Sequence, residues 1–315
     1  MATEENKILI SSRSFGKINS GAVEILNNAH LKSNVNPFGR KLNEEELIDL
    51  LDGAVGIIAG TENISEKVIL NANQLRVISR YGVGLDNIDL KTAKQKGVLV
   101  YNTPETPSVA VAELTLSLIL NLLKKIGKVD RQIRDNIWKP EIGNLLSGKT
   151  IGIIGLGRVG RKLVQFLEPF DLKILAHDMN PDKTFVTKYN INLLSLNSLI
   201  SISDVITLHI PLTEKTKYII GEKELKMMKK NAILVNTARG GLINEEALYN
   251  SLREKRTAGA AIDAFENEPN IGKLKELDTV ILTPHIGTYT VETRKHMEIE
   301  AANNLINGLK KAGIL

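Results

Sequence analysis

A chain of 315 residues exceeds what one ordinary core organises, so two domains are expected. With 43% hydrophobic and 24% charged residues the composition is that of a soluble globular protein, and the absence of cysteine excludes disulfides, thiolate metal sites and a cysteine nucleophile. The formal charge of +5 is spread as lysine pairs (Lys124–Lys125, Lys229–Lys230, Lys310–Lys311) between acidic segments, which argues against a nucleic-acid partner and for a small anionic ligand.

The start, MATEENKILISS, lacks a basic region followed by an apolar one. No secretory signal is therefore expected, and a cysteine-free chain fits the cytoplasm. KILISS (7–12) reads as a strand, 20–28 as a helix, and NEEELIDLL (43–51) as a helix with an acidic first turn. GIIAG (56–60) is a strand, SEKVILNA (65–72) a short helix, LRVISRYG (75–82) a strand running into a glycine turn, and VLVYN (98–102) a strand. Such alternation predicts a small parallel α/β domain. The stretch 108–126 reads as one long apolar helix. Its apolar core, Leu114–Leu123, has roughly half of the ~20 residues a bilayer span needs, so a buried helix at a subunit interface is expected rather than a membrane segment.

A second series opens at TIGIIGLGRVGR (150–161). An apolar run precedes Gly155, Gly157 and Gly160, and a helix pattern to about residue 168 follows. A glycine-rich turn alone is weak evidence, but its place between a strand and a helix gives each glycine a task. Gly155 makes the tight turn, Gly157 lets a pyrophosphate approach the backbone, and Gly160 lets helix and strand pack closely. The next strand, KILAH, leads into Asp178, 18 residues beyond Gly160. A carboxylate there suits the adenosine ribose hydroxyls and repels a 2′-phosphate, which favours NAD over NADP.

Further β-runs follow at DVITLHIP, AILVNTA, GAAIDA and TVILTP, with helices expected near 195–201, 222–228 and 245–253. Six β-runs in all predict a doubly wound sheet of the dinucleotide-binding kind. The stretch 290–312 reads as one amphipathic helix with no place in that sheet, so it is expected to return to the first domain. The predicted domains are 1–102 plus 290–315, and 103–289.

Five histidines are present. His30 and His296 read as surface residues, and His177 and His209 sit at strand ends without a suggestive carboxylate. His285 lies just past a β-run in TPHIG, at the edge where open α/β sheets bind ligands. AILVNTARGG brings Arg239, and GAAIDAFENEP brings Asp263 and Glu268, to similar places. No cluster with metal-ligand spacing is apparent.

The segments SRYGVGLDNID, VAVAELTL, GKTIGIIGLGRVGR, VNTARGGLINEEAL, AIDAFENEP and TPHIG, in this order, resemble the NAD-dependent D-isomer-specific 2-hydroxyacid dehydrogenase family over nearly the whole chain. The resemblance implies a dinucleotide-binding (Rossmann) domain inserted into a flavodoxin-like substrate domain, with the active site in the cleft between them. It places the catalytic arginine on Arg239, the acidic partner on Glu268 and the acid/base on His285. Cofactor contacts fall on Gly155, Gly157, Arg158, Val159, Gly160, Asp178, Thr237, Ala238, Asp263, His285 and Gly287. The backbone of Val83 and Gly84 would grip the substrate carboxylate, with Asn102 nearby, and the helix 108–126 would form a homodimer. Glutamate rather than glutamine at position 268 argues against the formate dehydrogenase branch, whose substrate has no hydroxyl proton to move.

The look is closest to D-3-phosphoglycerate dehydrogenases without their C-terminal regulatory domain, which implies phosphoglycerate oxidation and serine biosynthesis. Arg13 and Arg80 are the candidates to hold a substrate phosphate. One departure stands out: Gly60 occupies a position where related phosphoglycerate enzymes often carry arginine. Glyoxylate or hydroxypyruvate reduction therefore remains open, as does a different class, an NAD-sensing corepressor that keeps the fold and the triad.

Overall fold

The computed structural model describes residues 6–18, 20–104, 106–269 and 272–315. They divide into two units: residues up to Pro107 with Tyr289–Leu315, and Ser108–Thr288.

The first unit is a five-stranded parallel sheet of β1 (Asn6–Ile10), β2 (Leu31–Val35), β3 (Ala54–Ala59), β4 (Val77–Arg80) and β5 (Leu99–Tyr101), in the order β2-β1-β3-β4-β5. This is the flavodoxin-like order. Neighbouring side chains point to opposite faces. Ile57 and Ile78 thus enter one core layer with Leu47 and Val68, while Ile58 and Val77 enter the other. The expected helices appear as α1 (Gly21–Asn28), α2 (Glu44–Leu51) and α3 (Glu66–Asn71). Asn43 accepts from Glu46 N–H while Glu46 accepts from Asn43 N–H, a reciprocal cap that fixes where α2 starts. Sequence reading missed β2, an edge strand of mostly polar residues without alternation, and the six-residue α4 (Leu90–Gln95).

The second unit is a seven-stranded parallel sheet, one strand more than expected. Its members are β6 (Thr150–Ile154), β7 (Lys173–His177), β8 (Asn192–Leu193), β9 (Val205–Leu208), β10 (Ile233–Asn236), β11 (Gly259–Ile262) and β12 (Val280–Leu282). Their order, β12-β11-β10-β9-β6-β7-β8, is doubly wound. The added β8 has two exposed residues, too short for a periodic signal. Helices α5 (Pro107–Lys124), α6 (Ile126–Arg134), α7 (Arg158–Leu167), α8 (Lys183–Lys188), α9 (Leu196–Ile202), α10 (Glu222–Met227) and α11 (Glu245–Arg253) complete the connections.

The single helix expected over 108–126 ends earlier. Lys125 adopts φ 58° and breaks the chain into α5 and α6, and Asn121 Oδ1 accepts from Gly127 N–H at 2.9 Å across the break. Among the described residues α5 alone is long and apolar enough to cross a membrane. Its Ala112, Leu118, Ile119 and Leu123 instead share a core layer with Ile151, Ile153 and Leu163.

The last helix, α12 (Val291–Lys311), lies on β3, β4 and β5 and beside α1, within the first unit. Two glycines permit the close approach. A Cβ on Gly56 would stand 2.7 Å from Leu305, and one on Gly308 2.7 Å from Val77. Residues 103–107 and 289 fall in the first unit, against the expected boundaries. Thr103 explains the shift: its N–H donates to Gly82 O and its hydroxyl accepts from Gly82 N–H, both at 3.0 Å.

Candidate active site

The turn from β6 into α7 has the geometry its glycines imply. Gly155 has φ 100°, and a Cβ there would lie 2.5 Å from His209 O. On Gly160 a Cβ would lie 2.1 Å from Gly155 O, so only glycine lets α7 pack against the turn. Gly157 differs: a Cβ there would meet nothing within 4 Å. It caps α7 without a side-chain hydrogen bond, leaving room and free N–H groups for a pyrophosphate. Arg158 is exposed and Val159 partly buried on the first turn of α7. At the end of β7 the Asp178 carboxylate accepts from Leu156 N–H (2.6 Å) and Asn180 N–H (2.7 Å), which ties it to the glycine turn. These features fit a dinucleotide.

Three adjacent parallel strands carry the rest. Asn236, Ile262 and Leu282 are register partners, so β10, β11 and β12 end side by side. Thr237, Asp263 and Thr283 therefore emerge as neighbours. After β10, Asn236 clamps the turn: its Nδ2 donates to Arg239 O (2.8 Å) and its Oδ1 accepts from Ala238 N–H (3.0 Å). The Thr237 hydroxyl lies 2.8 Å from that of Thr115 on α5. Arg239 is partly buried and donates to Ala238 O at 2.8 Å. Gly240 is obligatory, since a Cβ would fall 1.9 Å from Phe265 O.

After β11, Asp263 is 1% exposed, and both its oxygens face the turn after β12. Oδ1 accepts from the Thr283 hydroxyl (2.6 Å) and Ile286 N–H (2.8 Å), and Oδ2 accepts from Gly287 N–H (3.0 Å). This carboxylate holds the TPHIG turn, in which His285 adopts φ 55°. His285 Nδ1 then lies 2.8 Å and 3.1 Å from the two Glu268 oxygens. The network assigns the proton to Nδ1, donating to the carboxylate, and leaves Nε2 for other work. Burial pushes the Glu268 carboxyl up, but the hydrogen bond and charge of His285 prevail with help from Phe265 N–H and the Arg239 charge. The group is held below the usual carboxylate range.

The other histidines serve elsewhere. His177 Nδ1 lies 3.0 Å from Leu194 O, and His209 Nε2 lies 3.0 Å from the Thr207 hydroxyl. Burial pushes His209 down to about 3, so its ring is neutral. His30 and His296 are exposed.

In the first unit, the turn after β4 leaves the Val83 and Gly84 N–H groups without an acceptor among the described residues. Asn102 Nδ2 donates to Val83 O at 2.7 Å and so braces that turn. Such a run of free N–H groups is an anion nest. Arg80 is turned inward: its guanidinium donates to the Ala59 and Tyr81 carbonyls and fills the space beneath Gly82. Arg13 lies exposed on the turn after β1.

Residues 116–287 match the D-isomer specific 2-hydroxyacid dehydrogenase family, in its NAD-binding domain. The chain is also 42% identical to D-3-phosphoglycerate dehydrogenase of Methanocaldococcus jannaschii over 259 residues, 81% of this chain. The chain belongs to this family. It is accordingly an NAD-dependent 2-hydroxyacid dehydrogenase. The aligned part spans about half of the Methanocaldococcus enzyme (49%). A glyoxylate reductase of Thermofilum pendens is 41% identical over 85% of this chain and 81% of its own length. D-lactate dehydrogenase of Aquifex aeolicus, solved with NAD and lactic acid, superposes with a TM-score of 0.84 at 27% identity, covering 98% of this chain and 96% of its own.

Sequence reading of this 2-hydroxyacid dehydrogenase missed two positioning groups. Asn236 precedes the ARGG turn and clamps it, a role its place at a strand end could have suggested. Thr283 reaches Asp263 across neighbouring strands, which only the sheet order reveals.

Proposed function

We propose that the chain interconverts a D-2-hydroxy acid and its 2-keto acid. The observation that carries this reading is the two-oxygen contact between Glu268 and His285 Nδ1. Bound NAD supplies or accepts the hydride at the carbon that changes oxidation state. His285 Nε2 gives the accompanying proton to the forming alkoxide, or takes it in the reverse direction. Glu268 orients the ring by accepting from Nδ1. Arg239 stabilises charge developing on the substrate oxygen. The Val83–Gly84 nest holds the substrate carboxylate, and Asp178 the adenosine ribose.

Among substrates, an unphosphorylated 2-keto acid of the glyoxylate or hydroxypyruvate type is favoured over phosphoglycerate, the first expectation. Arg80 turns Nη1 inward to the Ala59 and Tyr81 carbonyls, and Gly60 brings no side chain to a phosphate. Exposed Arg13 is the remaining support for the phosphorylated substrate. Steady-state assays with glyoxylate, hydroxypyruvate, D-glycerate, D-lactate and 3-phosphoglycerate test both readings. No turnover with any of them overturns the enzymatic reading in favour of an NAD sensor.

A homodimer is part of the proposal. Ile133, Ile137, Trp138, Ile142 and Leu145 are exposed on α6 and the segment after it, with Trp138 at 90% and Ile142 at 91%. Apolar exposure of this density suits a second copy of the chain. A monomeric mass in sedimentation equilibrium would refute it. A cytoplasmic location remains the expectation for a chain without cysteine.

A further inference from the structure

The sheet of the first unit reverses its winding between β1 and β3, and ligands of such sheets bind outside the strand ends at that point. Two loops meet there, Ser11–Ser14 after β1 and Gly60–Asn63 after β3. Between them lies the side chain of Glu62, 3% exposed. Ser11 Oγ donates to Glu62 Oε2 at 2.9 Å, and among the described residues no lysine or arginine pairs with the carboxylate. A buried carboxylate without a cation is costly and keeps acceptor capacity for a donor from elsewhere.

The loop that carries it is fixed. Asn87 Nδ2 donates to Glu62 O, Ile64 N–H donates to Asn87 O at 2.8 Å, and Asp89 N–H donates to Ile64 O at 2.9 Å. Gly60 makes the space that Glu62 fills. A Cβ at position 60 would stand 2.8 Å and 2.9 Å from the two carboxylate oxygens and 3.2 Å from Ser12 Cα. A carboxylate thus occupies the volume into which an arginine at position 60 would project.

The register places the loop that carries this carboxylate next to the substrate nest. Ala59 on β3 is the partner of Arg80 on β4, so the Gly60–Glu62 loop and the Val83–Gly84 turn leave adjacent strands. Neighbouring strands lie about 4.8 Å apart, the scale of a three-carbon acid. A substrate whose carboxylate sits in the nest would extend its third carbon toward Glu62.

We infer that Glu62 is a specificity-determining residue that accepts a hydrogen bond from a hydroxyl on the third carbon of the substrate and rejects a phosphate there. A neutral hydroxyl supplies the donor that the carboxylate lacks. A phosphate brings a second negative charge against a fixed one where the solvent that would screen them is scarce. This inference rests on the proposed 2-keto acid reduction and narrows it to hydroxypyruvate-like substrates.

The test compares kcat/KM for glyoxylate, hydroxypyruvate and 3-phosphohydroxypyruvate in wild type, Glu62→Gln and Glu62→Asp. Glu62→Gln keeps the shape and an acceptor oxygen but removes the charge. It is expected to raise the ratio of phosphorylated to unphosphorylated hydroxypyruvate by about 10-fold or more. Glyoxylate has no third carbon and should change by no more than about 2-fold. Glu62→Asp retains the charge and should retain the discrimination, which separates a charge effect from a disturbed loop. An unchanged ratio in Glu62→Gln, equal loss of discrimination in both variants, or a wild-type preference for the phosphorylated substrate overturns the inference. Absence of any keto-acid reduction by wild type defeats the proposed function instead.

Discussion

Asp263 offers a severe test of how the site is held together. Its carboxylate is 1% exposed and receives three hydrogen bonds, at 2.6, 2.8 and 3.0 Å, all from the turn that carries His285. Hydrogen bonds to a charged group contribute about 1.5–3 kcal/mol each, and a buried N–H left without an acceptor costs about 1–3 kcal/mol. In Asp263→Ala the Thr283 hydroxyl can turn elsewhere, but Ile286 and Gly287 N–H cannot, so the loss should be about 4 kcal/mol. Asp263→Asn is gentler and more telling. One oxygen still accepts, while the amide nitrogen now faces a donor, and a loss of about 2 kcal/mol is expected. At roughly 2–4 °C per kcal/mol, the melting temperature falls by about 4–8 °C. The catalytic effect should exceed the loss of stability, because a 1 Å displacement of a proton-transfer group can cost about 100-fold in rate. The assays are thermal melting by circular dichroism, amide hydrogen exchange at Ile286 and Gly287, and kcat at saturating NADH. If Asp263→Asn melts with wild type, keeps both amides protected and retains kcat within about 3-fold, the carboxylate does not hold the turn.

His285→Ala should abolish turnover while NADH still binds, as judged by cofactor fluorescence; near-intact turnover would remove His285 from the proton path. Gly157→Ala should fold normally, since its Cβ meets nothing within 4 Å, yet weaken NADH binding about 10-fold, whereas Gly160→Ala should lower the melting temperature because its Cβ falls 2.1 Å from Gly155 O. Equal melting of the two variants would refute that distinction. The Glu268 carboxyl is held below its usual range, so its pairing stabilises the fold above the ordinary value near 4.3 and is lost as pH falls through its lower folded value. The two side chains are 40–45% exposed, which limits the contribution to about 1 kcal/mol. Denaturation of wild type and Glu268→Gln at pH 6, 4 and 3 should converge toward the acid end, and a gap that widens there contradicts the assignment. Arg13→Ala should leave hydroxypyruvate reduction within about 2-fold, and a selective loss with a phosphorylated substrate would favour the phosphoglycerate reading.

What was legible in the chain and what was not divides along a physical line. The strand-to-helix turn at Gly155–Gly160 is written in contiguous residues, because two backbone approaches demand glycine at 155 and 160 and open space surrounds Gly157 between them. Arg239, Glu268 and His285 are readable for a related reason: each follows a strand of a parallel sheet, where chain order and sheet order coincide for β10, β11 and β12. Elements without contrast were lost. The polar edge strand β2, the two-residue β8 and the break at Lys125 leave no periodic trace, the last because a left-handed lysine looks like any other lysine in a sequence.

Selectivity is harder still, because it depends on burial. In IIAGTENI nothing marks Glu62 as buried, and Gly60 registers only as a position where related phosphoglycerate enzymes often carry arginine. The fold makes the two a single feature: the glycine leaves a space, the glutamate enters it, and a Ser11 hydroxyl from the loop after β1 holds it there. Loss of the arginine alone would weaken a phosphate contact that Arg13 could restore by reaching in from the next loop. A carboxylate in the vacated volume opposes that rescue, because any phosphate reaching Arg13 from the Val83–Gly84 nest must pass the ends of β3 and β1. The chemistry of the second unit serves any 2-hydroxy acid. On the proposed reading, Glu62 decides which of these acids is reduced.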